Sequence, residues 1–279
     1  SAAATKPMIP TILHDRAAIA AYLRQDLLVH LYELGDLDDF FWPYTTWYAS
    51  LNHGDIERLA LLYTGSELPI LLATAAADDQ PMINLLKALL PFLPRQFYAH
   101  LPAGMDFGFL RAEYQMESYG VHDKMALQER TGAGSLPHPA DKIRQVKIED
   151  LPELIGFYEA AYPGNWFDPR MIETGQYYGL WRSGRLVSVA GVHVYSPAQG
   201  VAALGNITTL PELRGSGLGT AVTGALCQAL GNRVGTIGLN VRADNTAAIA
   251  CYQKLGFRRV TQYEEWMLKT RPLVEDRDD

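Results

Sequence analysis

The stretch Thr208–Leu226, "TTLPELRGSGLGTAVTGAL", decides how the rest of this chain is read. Arg214, Gly215, Gly217 and Gly219 stand together between a strand-like run ending in "NITTL" and an apolar segment with helical character. Glycines accept positive φ and carry no side chain, so their backbone N–H groups can turn inward around an anion. The helix that follows adds unpaired N–H groups and the positive end of its dipole, and Arg214 adds a cation suited to phosphate oxygens. The stretch therefore reads either as a phosphate or pyrophosphate cradle or as a plain glycine-rich βα turn. There is no GK[ST], which excludes a Walker loop, and "GSGLGT" lacks the glycine spacing of a dinucleotide fingerprint.

The surrounding chain supplies an α/β context. Downstream, "VGTIGLNV" reads as a short strand, and "NTAAIACYQKLGF" as a helix capped by Asn245 and stopped near Gly256. Two terminal strands around "RRV" and "EEWMLK" complete this half. Upstream, "DLPELIGFYEAAYP" has helical spacing, with Asp150 placed to cap it. "YYGLWRSGRLVSVAGVHVYS" is two strands joined around Ser183–Gly184. The first half repeats the order in blurred form, from the helix "DRAAIAAYLRQDLLVHLYEL" through several strands to "MINLLKALLPF", "QFYAHL", "FGFLRAEY" and "YGVHDKMAL". "YGVHDKMAL" and "VTQYEEWML" occupy matching places in the two halves, which suggests an internal repeat. No glycine cluster lies between "PILLATA" and "MINLLKALL", so only the second half carries the cradle. The Gly- and Pro-rich "ERTGAGSLPHPADK" reads as a linker, giving expected domains of residues 1–130 and 143–279 joined by 131–142.

Composition narrows the function classes. The 279 residues are 48% apolar with a net charge of −7, which argues against nucleic acid or an anionic membrane as partner. No apolar run approaches the ~18 residues of a spanning helix. Cys227 and Cys251 lack metal or redox spacing and read as buried free thiols in a cytoplasmic protein; no metal is expected.

Two motifs in order carry a family resemblance. "TTLPELRGSGLGTAVTGAL" resembles the acyl-CoA-binding motif of the GNAT superfamily of N-acyltransferases, with Arg214, Gly217 and Gly219 at its defining positions. "LNVRADNTAAIACYQKLGF" is similar to the second family motif, an Asn-initiated helix carrying a Tyr and ending in Gly-Phe. The resemblance covers residues 143–269 and, in architecture only, the first half, as in the tandem and FR47-like branch. It implies two tandem α/β domains, each a mixed, mostly antiparallel sheet flanked by helices. It also implies an acetyltransferase that joins acetyl-CoA to an amine acceptor, as a monomer or homodimer. The backbone of Arg214, Gly215, Ser216, Gly217, Leu218, Gly219 and Thr220 would hold the pyrophosphate. Ile207, Thr208, Thr209 and Leu210 would run beside the pantetheine arm, a backbone N–H near Thr209–Leu210 would polarise the thioester, and Asn245 would bond the cofactor arm. Tyr252 would act as general acid.

The family's strand glutamate is absent: its position is Ala203, and no acid occurs in "VAALGNITTL". Substitutes considered on sequence are His193, read with Tyr195 on one strand face, Glu173, and a water ordered by Asn206. Tyr162, Trp166 and Phe167 either line an acceptor pocket or pack in the core or between the halves. A non-catalytic acyl-CoA sensor is the rival expectation.

Overall fold

The computed structural model describes residues 8–129 and 136–272. In chain order the elements are β1 (Thr11–Leu13), α1 (Arg16–Leu23), α2 (Leu31–Gly35), β2 (Thr45–Asn52), β3 (Asp55–Tyr63), β4 (Ile70–Leu72), α3 (Gln80–Leu89), β5 (Gln96–Pro102), α4 (Gly108–Glu113) and β6 (Tyr114–Leu127). There follow β7 (Asp141–Gln145), α5 (Leu151–Ala161), β8 (Tyr178–Arg182), β9 (Arg185–Ser196), β10 (Val201–Thr209), α6 (Leu218–Leu230), β11 (Thr236–Arg242), α7 (Thr246–Lys254) and β12 (Phe257–Thr270).

These elements form two compact units that interleave along the chain. The first comprises residues 1–22, 43–122 and 262–279; the second comprises Leu23–Trp42 and Asp123–Thr261. A single cut at a linker does not separate them. α2 comes from the first half of the sequence yet belongs to the second unit, whereas Gln262 onward returns to the first. Residues 131–135 of the expected linker lie outside the described residues, and its last two residues begin β7.

In the first unit β1 to β5 run antiparallel except for the parallel pair β4–β5, and β5 takes Tyr263–Lys269 of β12 as its antiparallel neighbour. Its core is Leu71, Leu85, Leu86, Leu89, Phe97 and Leu268, all fully buried. The apolar residues of α3 fall on one face at helical spacing, which is why the helix seats on this sheet. Asp79 caps α3 by accepting from Met82 N–H at 2.8 Å, and Arg58 binds the same carboxylate at 2.6–3.0 Å. The helix end matching α6 is thus already filled by an anion of the protein itself.

The second unit orders its strands β11-β10-β9-β8-β7, with β10–β11 parallel and the others antiparallel. The expected hairpin is present, with Ser183 and Gly184 at φ 51° and 83° between β8 and β9, as a two-residue hairpin turn requires. α6 packs on β8, β9 and β10, and α2 packs on β10 and β9.

Local readings were corrected in three places. "RRV" and "EEWMLK" are one 14-residue strand, because the "TQY" between them keeps the chain extended and contains no turn residue. The long first helix is broken into α1, a 3-10 turn at Arg24–Asp26, and α2. Asp150 does not cap α5: its carboxylate accepts from Lys147 N–H at 2.8 Å and binds Arg144, closing the preceding 3-10 turn.

Candidate active site

The parallel register of β10 and β11 runs from Val201↔Thr236 to Leu204↔Leu239, although β10 continues to Thr209 and β11 to Arg242. The cause lies in β10 itself. Its pairing with β9 is irregular between Ala203 and Leu204 and again between Gly205 and Thr208. At the second irregularity Asn206 adopts φ 53°, a left-handed conformation that Asn tolerates better than most residues. Two buried tyrosines hold it there: Tyr158 Oη donates to Asn206 O at 2.7 Å, and Asn206 Nδ2 donates to Tyr177 Oη at 3.1 Å. Tyr177 in turn donates to Val192 O at 3.0 Å. Burial raises the pKa of both phenols above the usual range, so both remain donors. The bulge therefore opens the edge of β10 toward β11.

Beyond the bulge, Thr208 pairs with Val189, and Leu210 N–H donates to Val187 O at 3.0 Å. Leu210 N–H is consequently spent on the sheet. Antiparallel alternation turns the Thr209 N–H to the opposite, opened edge. Of the two candidates for a thioester-facing amide, the geometry favours Thr209.

The chain then makes a 3-10 turn at Pro211–Leu213 and enters the glycine loop. Gly215 and Gly217 have φ 77° and 83°, which only glycine adopts without strain. A Cβ added at Gly215 would meet no described residue within 4 Å, and one at Gly217 would lie 3.7 Å from Pro137. Gly217 is the N-cap of α6 and supplies no side-chain cap, and the first turn of the helix carries no acid. The first-turn N–H groups of a helix have no intrahelical partner, so α6 presents donors where α3 presents Asp79. Glu212, in the 3-10 turn just before the loop, is drawn to Arg185 at 3.1 Å. Helix donors with no side-chain cap and no acid in the first turn fit a diphosphate.

Arg214 plays a different part from the one its charge suggests. Its Nε donates to Thr209 O at 3.1 Å and its Nη2 to Ala161 O at 2.8 Å. The guanidinium thus clamps the end of β10 to the last residue of α5 instead of reaching into the loop. Ser216 Oγ donates back to Leu213 O, which tightens the same turn.

α7 is set by the expected cap, with Asn245 Oδ1 accepting from Ala248 N–H at 3.2 Å. Tyr252 is 8% exposed and stacks edge to face on Phe257 at 6.0 Å. Its hydroxyl makes no hydrogen bond to a described residue. Burial, with smaller effects from Cys251 and Tyr162, raises its pKa above the ordinary phenol value, so it is a neutral O–H donor at physiological pH. Cys251 is half-buried, with its Sγ 3.1 Å from Thr220 Oγ1, and burial raises its pKa too. That contact joins the first turn of α6 to α7. Cys227 is a buried thiol outside any disulfide.

Of the substitutes for the missing strand acid, Glu173 is exposed at the end of a 3-10 turn. His193 is the extra residue in β9 opposite the first β10 irregularity, so simple alternation does not carry through it to Tyr195. Its ring lies so close over Gly205 that a Cβ there would fall 2.0 Å from it. Asn206 spends its amide on Tyr177. Phe167 packs between Tyr158 and Tyr177 at 5.0 and 5.5 Å, whereas Tyr162 and Trp166 are 45% and 39% exposed. Sequence reasoning missed Tyr158 and Tyr177. The only local signal for their role was Gly205-Asn206 inside a strand, a dipeptide that marks a bulge.

It also missed α2. Glu33 and Asp36 are 4% and 5% exposed. Tyr32 Oη donates to Leu204 O at 3.4 Å, and Gly35 lies directly against Val194, the partner of Ala203. Burial would raise the Glu33 pKa, but the His30 ring, 3.6 Å away, and the Lys124 charge prevail and bring it to about 2. Burial, together with Glu33, raises that of Asp36 well above the carboxylate range.

Comparison with known proteins supports the same region. The sequence profile of the Acetyltransferase (GNAT) family matches residues 141–257. The chain is 30% identical over 142 residues to the [Ribosomal protein bS18]-alanine N-acetyltransferase of Escherichia coli K12, covering 49% of this chain and 91% of that protein. It is 35% identical over 97 residues to the mycothiol acetyltransferase of Tsukamurella paurometabola, where the match spans only 33% of each chain. Among solved structures, a Drosophila protein shares the fold over 94% of this chain and 98% of its own, at 14% identity and TM-score 0.69. A tandem GNAT protein from the clavulanic acid biosynthesis pathway does so over 95% and 98%, at 15% identity and TM-score 0.56.

Proposed function

Because the chain belongs to the GNAT family of acetyltransferases, we propose that its second unit moves the acetyl group of acetyl-CoA to a primary amine of a small molecule or peptide by direct attack in a ternary complex. The observation that carries this reading is the coincidence of three features in one unit. They are an uncapped, glycine-led helix N-terminus, a strand pair that opens beside it, and a buried neutral tyrosine on α7.

Each residue has a task on this reading. The amides from Gly215 to Thr220 bind the diphosphate, helped by the α6 dipole. The opened edge at Ile207–Thr209 pairs with the pantetheine arm as an added strand would. Thr209 N–H stabilises charge on the thioester oxygen, an effect worth a few kcal/mol per donor. Asn245, besides capping α7, faces the cofactor arm. Tyr252 gives its proton to the leaving sulfur. Arg214 is a positioning residue that holds the strand end and the loop in register. Acetyl-CoA, when bound, supplies the activated acyl group. Cys251, held protonated by burial, is unsuited to carry an acyl group.

The halves 1–130 and 143–279 are read as two copies of one fold, of which the first, with Asp79 on its helix, takes no acyl-CoA. A second reading, a non-catalytic acyl-CoA sensor, draws on the lack of any acid in β10. Incubation with acetyl-CoA and a panel of amines, followed by free thiol, separates the two. Acetyltransfer predicts amine-dependent thiol release; stabilisation by acetyl-CoA with no release from any amine favours the sensor.

A further inference from the structure

The first turn of α6 borders both groups to which the reaction is assigned. On one side, a Cβ added at Gly219 would lie 3.5 Å from Thr209 Oγ1, which is itself 2.8 Å from Ser188 Oγ. The turn whose amides are assigned to the diphosphate is therefore packed on the residue whose N–H turns to the opened edge of β10. On the other side, the next residue, Thr220, brings its Oγ1 to 3.1 Å from Cys251 Sγ, and Cys251 directly precedes Tyr252 on α7. Thr220 and Cys227 stand seven residues apart, about two turns along one face of α6, and Cys227 is close enough to Tyr252 to act on its proton. That face of α6 is the one α7 packs on, and the Thr220–Cys251 contact is a polar tie at its diphosphate end.

The pair by itself leaves the direction of its hydrogen bond open, since either atom is able to donate. An anion on the helix N-terminus selects one direction. With Cys251 Sγ–H donating to Thr220 Oγ1, the threonine keeps its own hydroxyl proton for the anion; the reverse order leaves it only lone pairs. Burial raises the Cys251 pKa, so the thiol holds the proton that this order needs. We propose that Cys251 is a positioning residue for acyl transfer: tied to Thr220, it passes the seating of the diphosphate on α6 to the neighbouring Tyr252. The nucleotide end of acetyl-CoA then contributes to kcat as well as to binding, as contacts remote from the reacting atoms do when they set catalytic geometry. The inference rests on the acetyltransfer reading above and adds no covalent step to it.

The test compares wild type with Cys251→Ala, Cys251→Ser and Thr220→Val in the full chain. The first readout needs no turnover and uses desulfo-coenzyme A, which keeps the diphosphate but has no thiol. At saturation it should slow deuterium exchange at the α7 amides of wild type by about 3–10-fold, the scale of one modest hydrogen bond. In Cys251→Ala and Thr220→Val the slowing should vanish although calorimetry still detects binding. The second readout is the ratio of kcat with acetyl-CoA to kcat with S-acetylpantetheine, which carries the same thioester without the diphosphate. Measured with the amine that releases thiol fastest in the panel above, the ratio should fall about 3–10-fold in both variants. Cys251→Ser retains a donor and should keep most of it. A merely structural contact would lower the melting temperature and both kcat values together, and would leave the ratio and the ligand-dependent exchange in place. The two substitutions lie on different helices, and melting shows whether each variant folds. Exchange in wild-type α7 that is indifferent to desulfo-coenzyme A, an unchanged ratio in both variants, or Cys251→Ser as impaired as Cys251→Ala, overturns the assignment. Wild type that fails to bind desulfo-coenzyme A is a separate failure, that of the acyl-CoA reading itself, and is seen by calorimetry before any variant is made.

Discussion

Replacing Tyr252 by Phe removes one oxygen from a side chain that is 8% exposed. The ring contact with Phe257 at 6.0 Å is retained, and the hydroxyl has no hydrogen bond to a described residue to lose. Burying an unpaired hydroxyl costs about 1–3 kcal/mol on mutational scales. Its removal should therefore leave stability unchanged or raise it by up to about 1 kcal/mol. Because the hydroxyl is assigned to the leaving sulfur and not to the diphosphate, acetyl-CoA affinity should also hold. Catalysis should not: general-acid assistance is typically worth about 10²–10⁴-fold, which at 1.36 kcal/mol per decade is about 3–5 kcal/mol of barrier. Urea unfolding, calorimetry with acetyl-CoA and thiol release with a turned-over amine measure the three quantities independently. The reasoning is refuted if kcat and acetyl-CoA affinity fall together. A loss of more than about 2 kcal/mol in stability would refute it too, since the hydroxyl would then be a structural bond.

Gly205→Ala places a Cβ 2.0 Å from the His193 ring and should cost about 1–3 kcal/mol by overpacking; adding His193→Ala should recover much of that in a double-mutant cycle, and a fully stable Gly205→Ala would show that the ring lies elsewhere. Arg214→Ala removes the bonds to Thr209 O and Ala161 O and should destabilise by about 1–3 kcal/mol in urea unfolding, as hydrogen bonds from a charged donor do. Arg214→Lys should be nearly as damaging, because an ammonium lacks the planar fork that spans both carbonyls; full recovery by Lys would mean that charge, not the clamp, is what matters.

Much of the site was written locally, and local physics is what a sequence displays. Gly215 and Gly217 announce positive φ because other residues pay for it, and the structure has them at 77° and 83°. Asn245 announces a cap because its side chain reaches the N–H three residues on, and it does so at 3.2 Å. The Ser183–Gly184 hairpin and the α6 and α7 segments followed for the same reason. Groups that act through distant partners left no such mark. The charge of Arg214 suggested a phosphate contact, but two backbone carbonyls, one of them 53 residues earlier at Ala161, claim the guanidinium. Tyr158 and Tyr177 looked like ordinary aromatics until the Asn206 bulge showed what they hold. Nothing around Glu33 and Asp36 distinguishes them from surface acids on a short helix, since only burial against β9 and β10 makes them unusual.

By itself, then, the amino-acid order determined a mixed α/β fold, a glycine-led helix fit for a diphosphate, and a tyrosine helix behind it, because turns, caps and periodicity depend on residues a few positions apart. Tertiary structure alone decided which half of the chain completes the working unit. Leu23–Trp42 crosses into it and Gln262 onward leaves it, since strand pairing and desolvation act between residues that are close in space however far apart they lie in the chain. That exchange is what seats α2, from early in the chain, on β9 and β10.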